Sequence, residues 1–303
     1  MKLVSFNCGR IGLVEPQTGR VVDVTDVAGV EPQAWPPVGM VRLIADWPAR
    51  RAVLEAAARA REGRPLDEVR LDAPVQWPNK VIAFPANYHA HIDEMKYGTN
   101  GGVVSKFQAS GQGFFLKANS SLSGPAEPIV LPPLGGREIH HECELGIIVG
   151  KRGRAIAREQ SHEHVFGFTC LLDMVVRGKE ERVMRKSFDT FCPTGPWITT
   201  ADEVADFGAI EMRLFVNGEE RQSATTRDLI VDIPEMIAMS SAVMTLEPGD
   251  IIATGTPAGV GPVKDGDVIE IVIDGIGAMR LPVVQGAVGE HAVWDTDKAG
   301  FAV

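Results

Sequence analysis

Apolar positions along the chain fall into short runs, alternating or continuous, separated by Gly, Pro and polar turns. That pattern belongs to β-strands rather than to long amphipathic helices. In the first part of the chain it predicts strands over residues 2–6, 11–15 and 20–24, with Thr18-Gly19 as a turn, and then a helix over 49–61 that Gly63 and Pro65 stop. The Pro-bracketed segment Asp72-Ala73-Pro74-Val75-Gln76-Trp77-Pro78 is extended and marks a boundary. Residues 1–75 therefore read as a small αβ cap, and 76–303 as the main domain.

Beyond residue 80 the same pattern predicts strands over 81–84, 113–117, 143–149, 166–172, 211–216, 251–253, 268–273 and 278–284. Asn217-Gly218 is a hairpin turn. The clearest helix runs over 233–244, with Asp232 as N-cap and Pro234 in the first turn. Crossover helices are too few for a doubly wound sheet. The fold class is α+β and β-rich, mostly antiparallel with peripheral helices. Between Tyr97 and Gln112 the density of Gly, Ser and Asn suits a mobile loop.

The chain has 303 residues, 45% of them hydrophobic and 23% charged, which suits a globule with a sizeable core. A formal net charge of -10 and the lack of any long Lys/Arg run argue against nucleic acid as a partner. Cys8, Cys143, Cys170 and Cys192 form no CxxC pair, so reduced thiols and a cytoplasmic location are expected. The N-terminus lacks the apolar core of a signal peptide, and no run approaches a membrane span.

Candidate chemistry starts in Arg137-Glu138-Ile139-His140-His141-Glu142-Cys143-Glu144-Leu145. On a strand His140, Glu142 and Glu144 share one face. Two adjacent carboxylates at the mouth of a buried strand repel each other and resist desolvation, which a hard divalent cation relieves; Mg²⁺ or Mn²⁺ suits such oxygen ligands. The same two residues also read as a solvated strand face. Asp173, ending an apolar strand, is a third carboxylate that needs either Arg177 or the same metal as a partner.

In Asn87-Tyr88-His89-Ala90-His91-Ile92-Asp93-Glu94, a helix would set Glu94 against His91 as the orienter of a general base, with His89 as a competitor and an ordinary surface helix as the plain alternative. Lys186 opens a segment, 186–197, whose Pro and Gly suggest a shaped loop. The stretch 246–261 puts exposed amides and hydroxyls beyond a strand, suited to a carboxylate, without the ending of a phosphate loop. His162-Glu163-His164 reads as a solvated helix face.

Taken in order, Asn87-Tyr88-x-x-His91-x-x-Glu94, Phe115-Leu116-Lys117, Glu142-x-Glu144-Leu145, Asp173, Lys186-Ser187-Phe188-Asp189, Asn217-Gly218-Glu219 with Gln222, and Pro248-Gly249-Asp250 through Thr254-Gly255-Thr256-Pro257 resemble the fumarylacetoacetate hydrolase family over roughly residues 80–284. The resemblance implies a rolled, barrel-like mixed sheet and a homodimer. It also implies one Mg²⁺ or Mn²⁺ per subunit held by Glu142, Glu144 and Asp173, and a lid over about 86–112 carrying the water-activating pair His91 and Glu94. Lys186 would act on the developing negative charge, with Arg177, Glu180, Lys117, Thr256 and Gln222 at the substrate.

The substrates it implies are 2-oxo acids and β-diketo acids such as acylpyruvates, met in aromatic-compound catabolism. The expected reaction is hydrolytic C–C cleavage. The alternatives are decarboxylation, keto–enol isomerisation or hydration of 2-oxo diacids, and metal-dependent binding without catalysis. Three positions depart from the family pattern: Leu172 stands where an Asn is usual, Gly178 where an Asp is, and Glu180 where a Gln orients the oxo-acid end.

Overall fold

The computed structural model describes residues 1–97, 109–134 and 136–287. The expected lid segment is thus described only in part, since 98–108 lie outside these residues. The expected strands form with small shifts at their ends, and three sheets organise them. The largest runs in the order Arg64–Pro65, Arg20–Asp23, Arg10–Glu15, Lys2–Phe6, Cys192–Thr200, Val165–Leu172, Cys143–Val149, Ile251–Ala253, Val81–Ala83 and Phe115–Lys117. The N-terminal strands are therefore part of the main sheet: Lys2–Phe6 pairs antiparallel with Cys192–Thr200.

A second, five-stranded sheet contains Glu211–Val216, Val268–Ile273 and Gly277–Gln285. A three-stranded sheet joins Val175–Val176, Ile139–His141 and Gly261–Val263. Pairing is mainly antiparallel, with parallel exceptions such as Ile251–Ala253 beside Val81–Ala83.

Burial follows from where each strand lies. Val165–Leu172, in the middle of the large sheet, is buried at every position, as its continuous apolar run requires. Glu211–Val216 alternates, with Met212, Leu214 and Val216 turned inward. The main core lies between these two sheets and brings together Phe168, Leu145, Leu214 and Ile271. Helix Ile233–Val243 begins as its sequence dictates: the Asp232 carboxylate accepts the Glu235 N–H at 3.0 Å. Asn217 and Gly218 both have positive φ, the geometry of a tight hairpin turn.

Two expectations need correction. The stretch 192–197 is not a loop but lies in strand Cys192–Thr200. Its register against Val165–Leu172 shifts between Phe168, opposite Thr199, and Cys170, opposite Gly195. Pro196 falls in that irregularity, just past the paired Gly195, where it does not have to sustain the regular ladder. The run from Ile139 onward is also not one strand. It divides at Glu142, so Ile139–His141 and Cys143–Val149 join different sheets and the carboxylate sits at their junction.

Candidate active site

The junction at Glu142 lies beside the end of Val165–Leu172, because Cys143 is in register with Leu172. The Asp173 N–H donates to the Glu142 carbonyl at 2.9 Å, which sets the two side chains together. Glu144 follows two positions later on the same side. Carboxylate oxygens of Glu142, Glu144 and Asp173 lie within 4.8 Å of one another, and the residues are only 8%, 2% and 1% exposed. Gly255 completes the cluster by donating its N–H to Glu144 Oε2 at 2.8 Å. Gly255 has φ +91°, and a Cβ there would lie 2.8 Å from the Phe84 carbonyl, so this approach requires glycine.

Three buried carboxylates so close together have to be neutralised. Lys186 Nζ reaches Glu142 Oε2 at 2.6 Å and Asp173 Oδ2 at 2.5 Å. Burial alone would push the Lys186 ammonium down, but Asp173 and Glu142 hold it above its ordinary value. Burial, the Asp173 charge and the Glu142 charge push the Glu144 carboxyl well up. An all-oxygen donor set of this charge and spacing fits a divalent cation of the Mg²⁺ or Mn²⁺ type.

His91 and Glu94 share helix His89–Tyr97, three residues apart, and meet as the spacing predicts: His91 Nδ1 lies 3.0 Å from Glu94 Oε2. The other Glu94 oxygen accepts the Gly259 N–H at 3.0 Å. Burial raises the Glu94 carboxyl, yet the bonds from His91 and Gly259 outweigh it and hold the group below the usual range. An ionised Glu94 keeps the proton on His91 Nδ1 and leaves Nε2 as the basic atom. Asn87 anchors the helix start by donating to the Val231 and Thr254 carbonyls at 2.9 and 2.8 Å.

His91, Glu94, the three carboxylates, Lys186, Arg177 and Thr256 line one cavity of about 580 Å³. Three other expected substrate contacts are not on its wall. Lys117 stands behind Asp173, bonding Asp173 and the Lys186 and Phe191 carbonyls, so it braces the cluster. Gln222 accepts the Cys143 N–H at 2.9 Å and donates to Thr256 Oγ1 at 2.8 Å. Because Thr256 accepts there, its own O–H is left to donate.

Glu180, the third, forms a two-point ion pair with Arg137 at 2.8 and 2.7 Å. Gly178 belongs to the same arrangement, for a Cβ there would collide with the Arg137 guanidinium. The departures at Gly178 and Glu180 are thus one linked feature. Nor does Arg177 pair with Asp173 or Glu180: its Nε donates to His140 Nδ1 at 2.9 Å. Since arginine can only donate, His140 Nε2 carries the hydrogen toward Glu138 Oε2, 2.9 Å away. Burial and Arg177 both depress the His140 imidazole.

Sequence reasoning missed Arg182 and Arg185, which also line the cavity. Burial lowers both guanidiniums from their ordinary value, and Arg177 and Arg182 lower Arg185 further. The signal was the density of basic residues between Arg177 and Lys186. His162 and Glu163 are exposed as expected, whereas His164 is buried with Nδ1 2.9 Å from the Lys151 carbonyl.

The family model described as "Fumarylacetoacetate (FAA) hydrolase C-terminal" matches residues 80–284. The chain belongs to this family.

A maleylpyruvate hydrolase of Aquipseudomonas alcaligenes is 42% identical to the chain over 287 residues, covering 93% of this chain and 99% of that protein. Among solved structures, the maleylpyruvate hydrolase from Sphingobium sp. SYK-6, in complex with manganese(II) ion and pyruvate, superposes with a TM-score of 0.85 at 53% identity. That match covers 95% of this chain and 100% of that one. The mitochondrial oxaloacetate tautomerase FAHD1 of Mus musculus is 35% identical over 216 residues, covering 69% of this chain and 93% of the mouse protein. The β-rich fold is shared with the Sphingobium structure. Among the described residues, no helix is long and apolar enough to cross a membrane.

Proposed function

We propose that the protein is a divalent-metal-dependent hydrolase that cleaves the C–C bond of an acylpyruvate to give pyruvate and a carboxylic acid. The observation that carries this is the pairing, in one cavity, of a three-carboxylate cluster with a His–Glu couple poised for proton transfer. The likeness to two maleylpyruvate hydrolases, one solved with manganese and pyruvate, supports the same reaction.

Glu142, Glu144 and Asp173 would hold the cation, which when bound supplies Lewis-acid polarisation of the 2-oxo acid end and offsets negative charge. His91 Nε2 takes a proton from water, with Glu94 fixing the ring and stabilising the imidazolium. The hydroxide oxygen bonds to the distal acyl carbon. As that adduct collapses the C–C bond breaks, its electron pair passes to the pyruvate enolate, and the acyl group leaves as a carboxylic acid. Lys186 places an ammonium where this charge develops, and Thr256 offers a hydroxyl donor. The imidazolium returns its proton to the enolate carbon, so atoms and charge balance.

A decarboxylase or tautomerase would form a similar enolate without water attack, and relatives with those names exist. A product assay separates them. With Mn²⁺, acylpyruvates should yield equal amounts of pyruvate and acid, and EDTA should abolish turnover. CO₂ from oxaloacetate with no acylpyruvate cleavage would assign the site to decarboxylation.

A cytoplasmic homodimer completes the proposal. The four cysteines, all free thiols, support a reducing compartment. Light scattering at the mass of two 32.7 kDa chains would agree with the dimer, and the mass of one chain would oppose it.

A further inference from the structure

Two chain segments leave the carboxylate cluster side by side, one running back from Glu142 to Arg137 and the other forward from Asp173 to Glu180. The Asp173 N–H starts the ladder on the Glu142 carbonyl at 2.9 Å. Val175 and Val176 then pair with His140 and Ile139, and the Arg177 N–H donates to the Glu138 carbonyl at 2.9 Å. Val175–Val176 is the edge of the three-stranded sheet and only two residues long. A ladder this short has little of its own to keep its far end from fraying.

Arg137 and Glu180 close that far end. Arg137 Nε and Nη2 donate to the Arg177 carbonyl at 3.0 and 2.7 Å, and the same guanidinium grips both oxygens of Glu180. The two side chains are only 18% and 25% exposed, and a two-point pair anchored on a backbone carbonyl holds its geometry as a lone surface ion pair does not. Arg177 is thereby held at its N–H, at its C=O and, through His140, at Nε, always from residues 137–140. Among the described residues its Nη1 and Nη2 have no partner, and Arg177 lines the cavity. Arg182 and Arg185 lack this bracing: their guanidiniums bond the Gln112 side chain and the Glu180 and Val176 carbonyls.

We propose that Arg137 and Glu180 are positioning residues for the reaction, fixing the Arg177 backbone so that the Arg177 guanidinium meets the anionic oxygens of the substrate in one preset position. This rests on Arg177 as a substrate contact, and not on the fate of the bound substrate. A guanidinium that the ligand must itself order binds less tightly than one already in place. Gly178 makes room for the pair, because a Cβ there would overlap the Arg137 guanidinium and crowd the Glu180 carboxylate. Gly178→Ala therefore displaces the guanidinium by bulk alone, while Glu180→Gln removes the charge and keeps the shape. Two unrelated changes should give one phenotype.

With Mn²⁺ present, each variant should raise KM for fumarylpyruvate roughly 10- to 100-fold, the range for partners that orient a ligating group from behind, and leave kcat nearly unchanged. The calorimetric Kd for 2-oxoadipate, which carries a carboxylate at each end and no β-carbonyl to cleave, should rise by the same factor. Mn²⁺ affinity should stay that of wild type, and the double variant should be no worse than either single one. Arg185 also leans on the Glu180 carbonyl, so two further backgrounds separate the routes. Glu180→Gln should add nothing to Arg177→Gln, and should keep its full factor on Arg185→Gln.

An unchanged Kd for 2-oxoadipate in both variants would overturn the assignment, as would a factor that survives the loss of Arg177 or vanishes with that of Arg185. A fall in Tm or kcat with KM and Kd unmoved would mean that the pair only supports the fold. If wild type cleaves no acylpyruvate, the hydrolase proposal fails, while the 2-oxoadipate titrations still decide the role of Arg137 and Glu180.

Discussion

His91 shows how much one side chain depends on its partners. Its proton is directed to Nδ1 by a carboxylate that is itself held ionised by a backbone N–H. Replacing His91 with Ala removes the base but no carboxylate of the cluster. Acylpyruvate hydrolysis should fall by roughly 10²–10⁴-fold, while Mn²⁺ affinity measured by calorimetry stays close to that of wild type. Full activity in this variant would take His91 out of the mechanism. The couple was legible because i,i+3 residues on a helix meet whatever the tertiary structure does. The same logic failed for Lys117 and Gln222. Both sit in matching motifs, but which way a buried side chain turns depends on carbonyls and amides brought from distant strands. Arg182 and Arg185 were missed for a related reason, since a basic run has no face until its backbone path is known.

At the scale of elements, helix Ile233–Val243 is the case in which local sequence decides most. Asp232 caps it, accepting the Glu235 N–H and pairing with Arg158. The Arg158 hydrogen bond, partly opposed by burial and assisted by the Glu235 N–H, holds the Asp232 carboxyl below its usual value. A depressed folded-state pKa means the ionised form stabilises the fold above the unfolded Asp value, and this is lost as pH falls through the folded one. Asp232→Ala should therefore cost about 1 kcal/mol near neutrality. The difference in Tm from wild type should narrow as the pH is lowered below about 4. A gap that stays constant into acid would show that the charge contributes nothing. Strand 192–200 is the opposite case: Gly195 and Pro196 signal a break, yet pairing on both flanks and a register shift keep them in a strand. Local propensity lost there to tertiary pairing.

Across the whole molecule, the ordered motifs between 80 and 284 sufficed to place the chain in its family and to name the carboxylate cluster. What they could not show is the joining of the N-terminal strands to the main sheet, because strand pairing between distant segments leaves no local pattern. The central claim also belongs at this scale: a cavity assembled from two sheets, two helices and the segments between them directs water to the distal acyl carbon. Single-turnover cleavage of fumarylpyruvate in H₂¹⁸O, with Mn²⁺ present, tests this most directly. The account predicts one ¹⁸O atom in the carboxylate of the released fumarate that was formerly the acyl carbonyl, in step with pyruvate formation. Fumarate released without the label, or loss of substrate as CO₂ with no fumarate at all, would contradict it.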